Sequence, residues 1–183
     1  MMLMRATQAC LLIIDVQERL IHATVESEQV ITTCQTLIKV ANRLQVPVLM
    51  SEQYPKGLGV TVTALRELVP VNNVMEKVHF SCTESENCRQ HIQSTHKQQF
   101  VLGGIESHVC VQQTALGLID MGYDVFLVEE AVSSRKMNDK TLALARMREA
   151  GVSIVSQEMV MFEWLQRAST PEFKEISQQF IKK

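Results

Sequence analysis

The sequence has little of what marks several large protein classes. Its 183 residues include only seven glycines, and none of them belongs to a GxGxxG fingerprint or a P-loop. A Rossmann- or flavodoxin-like cofactor binder is therefore the weakest interpretation, and no cofactor is expected. The formal net charge is only −2, and no run of like charges occurs. Without a basic surface the chain has little attraction for nucleic acid or anionic membranes, so neither is predicted as a partner.

Cysteine and histidine are present, but not in the patterns of disulfide or metal proteins. The five cysteines are an odd number without a CxxC pair, and the five histidines include no HExxH motif. We therefore expect no metal, no disulfide framework and a reducing, cytoplasmic location. The longest apolar run near the start is Ala9 to Ile14, which is too short to cross a bilayer. We expect neither a membrane anchor nor a signal peptide.

Short apolar runs alternate with amphipathic stretches along the chain. The apolar runs predict six strands, at 9–15, 46–50, 72–80, 98–105, 123–130 and 152–156. Helices are predicted at 26–44, 62–68, 85–95, from about 107, at 139–150 with Gly151 as C-cap, and twice in the C-terminal region. Strands that alternate with helices form a parallel sheet covered on both faces. We expect one domain over residues 1–183, an α/β fold built as a three-layer α/β/α sandwich.

Three reactive side chains follow strands of this predicted sheet. Asp15 closes the first strand, Lys77 ends the third, and Cys110 follows the fourth after a short turn. Taken singly, each has an ordinary interpretation: a turn cap, a solvated lysine and a small buried thiol. The carboxyl ends of parallel strands share one edge, where ligands bind. There the three would supply an acid/base, a cation and a nucleophile, which together favour nucleophilic catalysis.

The expected state of the Cys110 thiol depends on opposing effects. If a helix begins near Ser107, a credible N-cap, Cys110 lies in its first turn, where the helix dipole favours a thiolate. A nearby Asp15 carboxylate would raise the thiol pKa, and the Lys77 ammonium would oppose that shift. The sequence alone does not decide this balance.

Several longer stretches resemble one known family. "LLIIDVQERL", "EKVHFS" and "GGIESHVCVQQTALGLIDMGYDVFLVEEAVSSR" are similar to the isochorismatase-like (cysteine) hydrolase superfamily, which includes nicotinamidases, N-carbamoylsarcosine amidases and ureidoacrylate and biuret amidohydrolases. "SEQYPKGLG", "SSR" and "PEFKEIS" look most like isochorismatase domain-containing proteins. The match runs in order over nearly the whole chain, and it is the set of motifs that is specific.

The resemblance implies a six-stranded parallel sheet of order 3-2-1-4-5-6 and a catalytic triad of Asp15, Lys77 and Cys110. It also implies a cis peptide bond between Ile105 and Glu106. The turn at that bond would direct the backbone N–H groups of Glu106 and Cys110 at the substrate oxygen, forming an oxyanion hole. A homo-oligomer, a dimer or larger, is expected from the family.

Two departures from the family patterns narrow the range of expected reactions and substrates. Nicotinamidases hold a metal with histidines after the second strand, whereas "SEQYPKGLGVT" has none, so nicotinamide is a doubtful substrate. Isochorismatases that cleave a vinyl ether lack the cysteine, so Cys110 favours cleavage of a C–N bond in a small amide or ureido compound. Hydrolysis of isochorismate or a related ether, and a non-catalytic oligomeric binding module, remain the alternatives.

Five residues beside the motif positions are candidates for contact with a small-molecule substrate. Phe80 has core packing as an equally good alternative, and a solvated side chain is the simpler interpretation of His108. The complete set is Gln17, Gln53, Tyr54, Phe80 and His108.

Overall fold

A six-stranded parallel sheet forms the centre of the protein in a computed structural model that describes residues 3–181. The strands lie in the order β3-β2-β1-β4-β5-β6, which confirms the predicted fold and order. Their bounds are β1 Ala9–Ile14, β2 Val48–Gln53, β3 Val74–Lys77, β4 Gln99–Ile105, β5 Asp124–Ser133 and β6 Ser153–Val155.

Helices cover both faces of the sheet. They are α1 Glu18–Ile21, α2 Ser27–Arg43, α3 Pro55–Leu58, α4 Thr63–Arg66, α5 Glu86–Ser94, α6 Gln112–Asp120, α7 Met137–Glu149, α8 Gln157–Leu165 and α9 Pro171–Ile176. A 3₁₀ turn spans Val71–Asn73, and π-helical turns span Ser107–Val111 and Ser177–Ile181.

The alternation of side chains along β1 shows how the three layers are built. All six residues of β1 are fully buried, because β1 lies between β2 and β4 and has helices on both faces. Leu11 and Ile13 pack into one core, with α2, α8 and α9, whereas Leu12 and Ile14 pack into the other, with α5, α6 and α7. A strand buried on both faces reads as a continuous apolar run, which is the pattern that predicted β1.

Several strands differ from their predicted bounds. β2 runs to Gln53 instead of ending at residue 50, and β6 is two residues shorter than predicted. β3 is shorter than predicted because the chain leaves the sheet after Lys77, and the following Val78 and Phe80 are exposed. β5 is longer than predicted. A shift in its pairing with β4 lets Val132 and Ser133 pair with Gly104 and Ile105, so β5 continues past the predicted end.

The predicted end of α7 at Gly151 is confirmed. The backbone of Gly151 has a φ of 99°, a left-handed conformation that glycine adopts without steric cost. The N–H of Gly151 bonds to the carbonyl of Arg148, and that of Val152 bonds to the carbonyl of Met147. This pair of hydrogen bonds is a Schellman motif, and it leads the chain directly into β6.

Candidate active site

The carboxyl edges of β1 and β4 approach closely where the candidate residues meet. Ile14 pairs with Gly104, whose φ is 124°. A Cβ atom on Gly104 would lie 2.0 Å from the carbonyl oxygen of Ile14, so only glycine fits this position. Asp15 follows Ile14, and the turn to Cys110 begins at Glu106, two residues after Gly104. The close approach therefore brings the ends of the two strands together.

Asp15 and Lys77 form a fully buried ion pair at this edge. The Lys77 Nζ donates to Asp15 Oδ2 at 2.7 Å, and neither side chain is exposed to solvent. The Ser51 hydroxyl donates to the other carboxylate oxygen, Oδ1, also at 2.7 Å. Breaking such a pair leaves a buried charge without a partner, which costs about 3–5 kcal/mol in comparable cases. The ion pair is therefore held in one geometry.

A second group of buried amides fixes the lysine. The side-chain oxygen of Gln53 accepts a hydrogen bond from Lys77 Nζ at 2.9 Å, while its amide nitrogen donates to the carbonyl of Val78. Gln17 is fully buried and bonds to both backbone groups of Gln53 and to the carbonyl of Gly59. Gln53 thus contacts Lys77 directly, and Gln17 holds Gln53 in place through its backbone.

Cys110 lies in the π-helical turn that follows β4. The peptide bond between Ile105 and Glu106 is cis, as the resemblance implies. The carbonyl of Glu106 accepts hydrogen bonds from the N–H groups of Val109 and Val111, which closes the turn around the cysteine. Cys110 is buried but 7% exposed, whereas the other four cysteines are fully buried, so it is the most accessible of the five.

The thiol of Cys110 is held in its protonated form. Burial, the Asp15 carboxylate and, more weakly, Glu106 raise the pKa of Cys110 to about 12, and Lys77 opposes this shift without overcoming it. Burial lowers the pKa of Lys77, but the charge of Asp15 and its hydrogen bond with Lys77 oppose burial and the pKa is raised, so the ammonium persists. The opposing effects of Asp15 and Lys77 on the pKa of Cys110, which the sequence did not decide, thus favour a neutral thiol beside a paired carboxylate over a thiolate.

The prediction that Ser107 caps this helix is wrong. Glu106 holds the N-cap position with extended backbone angles, and Ser107 is already helical. The Ser107 hydroxyl is buried without a hydrogen-bond partner in the part of the chain that the structure describes. The helical turn therefore starts one residue earlier than a Ser107 cap predicts.

Sequence reasoning missed Ser51. Alternation of side chains along β2 places Ser51 on the same face as Gln53. Because Gln53 was already a candidate, this alternation could have predicted that Ser51 also faces the site. Glu52 points to the opposite face, where its carboxylate accepts from the N–H of Thr61 and lies 3.7 Å from Arg66.

Comparison with known proteins identifies the family of this site. The family model of the isochorismatase domain matches residues 9–159, more than four fifths of the chain. The chain belongs to the isochorismatase family. Isochorismatase family protein 1A of Dictyostelium discoideum is 37% identical over 171 residues, which cover 91% of this chain and 82% of that protein. Together with the fold, these matches make the protein an isochorismatase-family hydrolase.

Two solved structures show the same architecture. MAR1 ribonuclease from Caenorhabditis elegans is 33% identical and has a TM-score of 0.89, over 97% of this chain and 91% of that one. The YcaC gene product from Escherichia coli, described as an octameric hydrolase of unknown specificity, is 20% identical with a TM-score of 0.89. That match covers 99% of this chain and 92% of that one and concerns the fold alone.

The remaining candidates of the isochorismatase-family chain differ in their exposure and contacts, and of these, among the residues that the structure describes, only Tyr54 lines a cavity beside Lys77. Tyr54 and Phe80 are each 53% exposed, so core packing does not account for Phe80. A cavity of about 440 Å³ is lined by Tyr54, Lys77 and Val78 together with neighbouring residues. His108 is partly buried, and its Nδ1 lies 3.0 Å from the Ser134 hydroxyl, so it is not simply solvated. Substrate contacts by these residues stay predictions.

The described part of the isochorismatase-family chain holds neither a metal-ligand cluster nor a membrane-spanning helix. Within residues 3–181, no three histidine, cysteine, aspartate or glutamate side chains lie close enough together to hold a metal ion. None of the helices in that same range is both long and apolar enough to cross a membrane.

Proposed function

We propose that the protein is a cysteine-dependent hydrolase that cleaves a C–N bond of a small amide or ureido compound through a thioester. The observation that carries this proposal is the buried Lys77–Asp15 ion pair, whose carboxylate also acts on the Cys110 thiol. A lone buried cysteine has a structural role as its simplest explanation. A buried carboxylate aligned by an ammonium and a hydroxyl, and acting on that thiol, has the parts of an activated nucleophile.

The first half of the reaction forms the thioester. Asp15 takes the thiol proton as Cys110 Sγ attacks the carbonyl carbon, and the carbonyl π electrons move to the oxygen. The backbone N–H groups of Glu106 and Cys110 stabilise this oxyanion, each by about 3 kcal/mol in comparable sites. Asp15 then gives the proton to the nitrogen. The C–N bond breaks, and ammonia or an amine leaves.

The second half regenerates the enzyme. Asp15 takes a proton from water, which attacks the thioester carbon, and the C–S bond breaks. The proton returns from Asp15 to sulfur, and an acid leaves the site. Because the Cys110 pKa is raised, the thiol stays neutral until substrate binds, and the thiolate forms during the attack. Lys77 keeps its charge throughout and orients the carboxylate.

Product analysis separates this proposal from its alternatives. We expect a screen of small amides, ureido acids and esters to give ammonia or amine release that disappears in Cys110→Ala. Pyruvate release from isochorismate, unchanged in Cys110→Ala, would instead indicate ether hydrolysis. A folded protein that turns over none of these compounds, and whose Cys110 reacts no faster than the buried thiols, would indicate a binding module.

RNA cleavage is a second candidate because one structure that is 33% identical is called a ribonuclease. The net charge of −2 opposes it, since binding of a phosphate backbone draws on Lys and Arg. Incubation of RNA with the wild type and Cys110→Ala tests it. We expect no cleavage by either, and cleavage by the wild type that the variant loses would favour this second candidate.

We also propose a cytoplasmic homo-oligomer. Exposed apolar side chains lie at Leu3 and, on α8, at Met159 and Phe162, and these suit a contact between copies. Sedimentation equilibrium would show the proposed assembly, and a monomer at micromolar concentration would contradict it.

A further inference from the structure

The end of β5 packs against the turn that carries Glu106 and His108. The shifted pairing places Ser133 opposite Ile105, the last residue of β4. The carbonyl of Ser134 accepts a hydrogen bond from the N–H of Val25 at 3.0 Å, which anchors the segment to the loop before α2. The backbone of Ser134 and Arg135 is therefore held in place beside the turn.

Arg135 donates two hydrogen bonds to the side chain of Glu106. One carboxylate oxygen, Oε2, accepts from both the backbone N–H and the Nε of Arg135, each at 3.0 Å. The Glu106 side chain is 14% exposed, whereas that of Arg135 is 63% exposed. The glutamate is thus tied down close to the thiol, where its charge contributes to the raised pKa of Cys110.

His108, two residues further along the chain, makes a similar contact to the β5 side. Its Nδ1 lies 3.0 Å from the hydroxyl of the fully buried Ser134. Its Nε2 is 3.9 Å from a carboxylate oxygen of Asp139 on α7. Both Glu106 and His108 are therefore held from the β5 side, and Cys110 lies in the turn that follows them.

We propose that Arg135 is a positioning residue for the oxyanion hole. Its two N–H groups fix the Glu106 carboxylate and, through it, the direction of the Glu106 backbone N–H toward the substrate oxygen. This inference rests on the proposed function, because it assumes that Cys110 acylates and that this N–H faces the oxyanion. Arg135 itself contacts no reacting atom.

The competing explanation is an ordinary surface ion pair. Exposed ion pairs contribute little to stability and have no reason to affect one chemical step selectively. A positioning role, in contrast, acts on acyl transfer, in which negative charge develops on a carbonyl oxygen. The two explanations differ in which rates change when the guanidinium is removed.

The test compares two reactions of Cys110 in Arg135→Gln. Acylation by p-nitrophenyl acetate forms an oxyanion, and its initial burst is followed by nitrophenolate absorbance. Reaction with methyl methanethiosulfonate involves no carbonyl group and reports only thiol reactivity. Arg146→Gln, at an exposed arginine on α7, is the matched control.

We expect Arg135→Gln to acylate about 10-fold more slowly at saturating ester, with KM changed less than twofold, since a misdirected donor loses part of the 10²–10³-fold effect of a donor removed entirely. Arg135→Lys should recover part of the rate, because it restores charge without the planar geometry of the guanidinium. The methanethiosulfonate rate should stay within twofold of wild type. Glu106→Gln should match Arg135→Gln, and the double variant should be no slower than either.

Two results would overturn the inference: unchanged acylation in Arg135→Gln, or acylation and methanethiosulfonate reaction falling by the same factor. Failure of the proposed function looks different. In that case Cys110→Ala would react with p-nitrophenyl acetate as fast as the wild type, whatever the Arg135 variants do.

Discussion

Replacing Asp15 by Asn should have opposite effects on two reactions of Cys110. The Asp15 carboxylate raises the pKa of Cys110 through its charge and as a hydrogen-bond acceptor, and it is also the proposed base. The isosteric amide keeps the volume and one acceptor oxygen but removes the negative charge and the base. Hydrolysis should therefore fall, while the thiol should become easier to ionise and to alkylate.

The size of the second effect follows from the contributions to the pKa. Burial is the largest cause of the shift to about 12, and it remains in the variant. Two unit charges about 4 Å apart interact by about 4 kcal/mol at an effective dielectric constant of about 20. In the variant the buried Lys77 loses its partner, so its own pKa falls and its stabilising effect on a thiolate weakens, which offsets part of this gain. A remainder of about 1.4–2.8 kcal/mol lowers the pKa of Cys110 by about one to two units. Since a thiolate of lower pKa is a weaker nucleophile, alkylation should accelerate by about 3- to 10-fold.

Iodoacetamide labelling at pH 8 with peptide mass spectrometry measures this rate for each cysteine. Each cysteine must be followed separately because Cys88 is also acidic: its hydrogen bond with Cys82 lowers its pKa to about 7. Cys88 is buried, however, and should label slowly despite its acidity. Glu52→Gln is the control, since that carboxylate lies on the opposite face of β2. Turnover of Asp15→Asn should fall by about 10²–10⁴-fold, the usual contribution of a general base.

The reasoning would be refuted if Asp15→Asn labelled Cys110 more slowly than the wild type while remaining folded by circular dichroism. It would also be refuted if the variant kept full turnover.

Three further predictions concern catalysis, pH and packing. Ser51→Ala removes the 2.7 Å hydrogen bond to Asp15 and should lower kcat by about 3- to 10-fold in steady-state assays, a loss near the 1 kcal/mol of a typical hydrogen bond. The pKa values of Cys10 and Cys34 are raised from 9.0 to about 12 by burial. Their protonated forms therefore stabilise the folded state fully below pH 9, and urea titrations should show this stability lost towards pH 12 by up to about 1.4 kcal/mol per pH unit per thiol. Cys34→Ala should show a shallower pH dependence. Gly104→Ala places a Cβ 2.0 Å from a β1 carbonyl oxygen and should lower the free energy of unfolding by more than about 3 kcal/mol, measured by urea titration, whereas the same change at exposed Gly122 should cost less.

The fold was predictable because its determinants are local. The continuous apolar run of β1, the alternation of strands with helices and the glycine after α7 each act over a few residues. The strand order needed more than these local patterns, and the family resemblance supplied it. β3 ended early because Lys77 turns inward to Asp15 and the next residues turn outward, which strand propensity does not encode.

Much of the candidate site depends on contacts between distant segments. Ser51 meets Asp15, and Arg135 meets Glu106, through pairings of β1 with β2 and of β4 with β5. The state of the Cys110 thiol depends on burial and on distances to charges, which no spacing rule gives. Motif positions therefore named the triad, while its supporting residues emerged only from the fold.

The central claim, that Cys110 is a nucleophile forming a thioester, is tested most directly by trapping the intermediate. The protein is mixed with p-nitrophenyl acetate, quenched in acid within the burst, digested and examined by mass spectrometry. The account predicts the mass of one acetyl group on the Cys110 peptide, decaying with turnover and absent in Cys110→Ala. Ester hydrolysis that Cys110→Ala retains at the wild-type rate, or an acetyl group on a different residue that forms and decays with turnover, would contradict it.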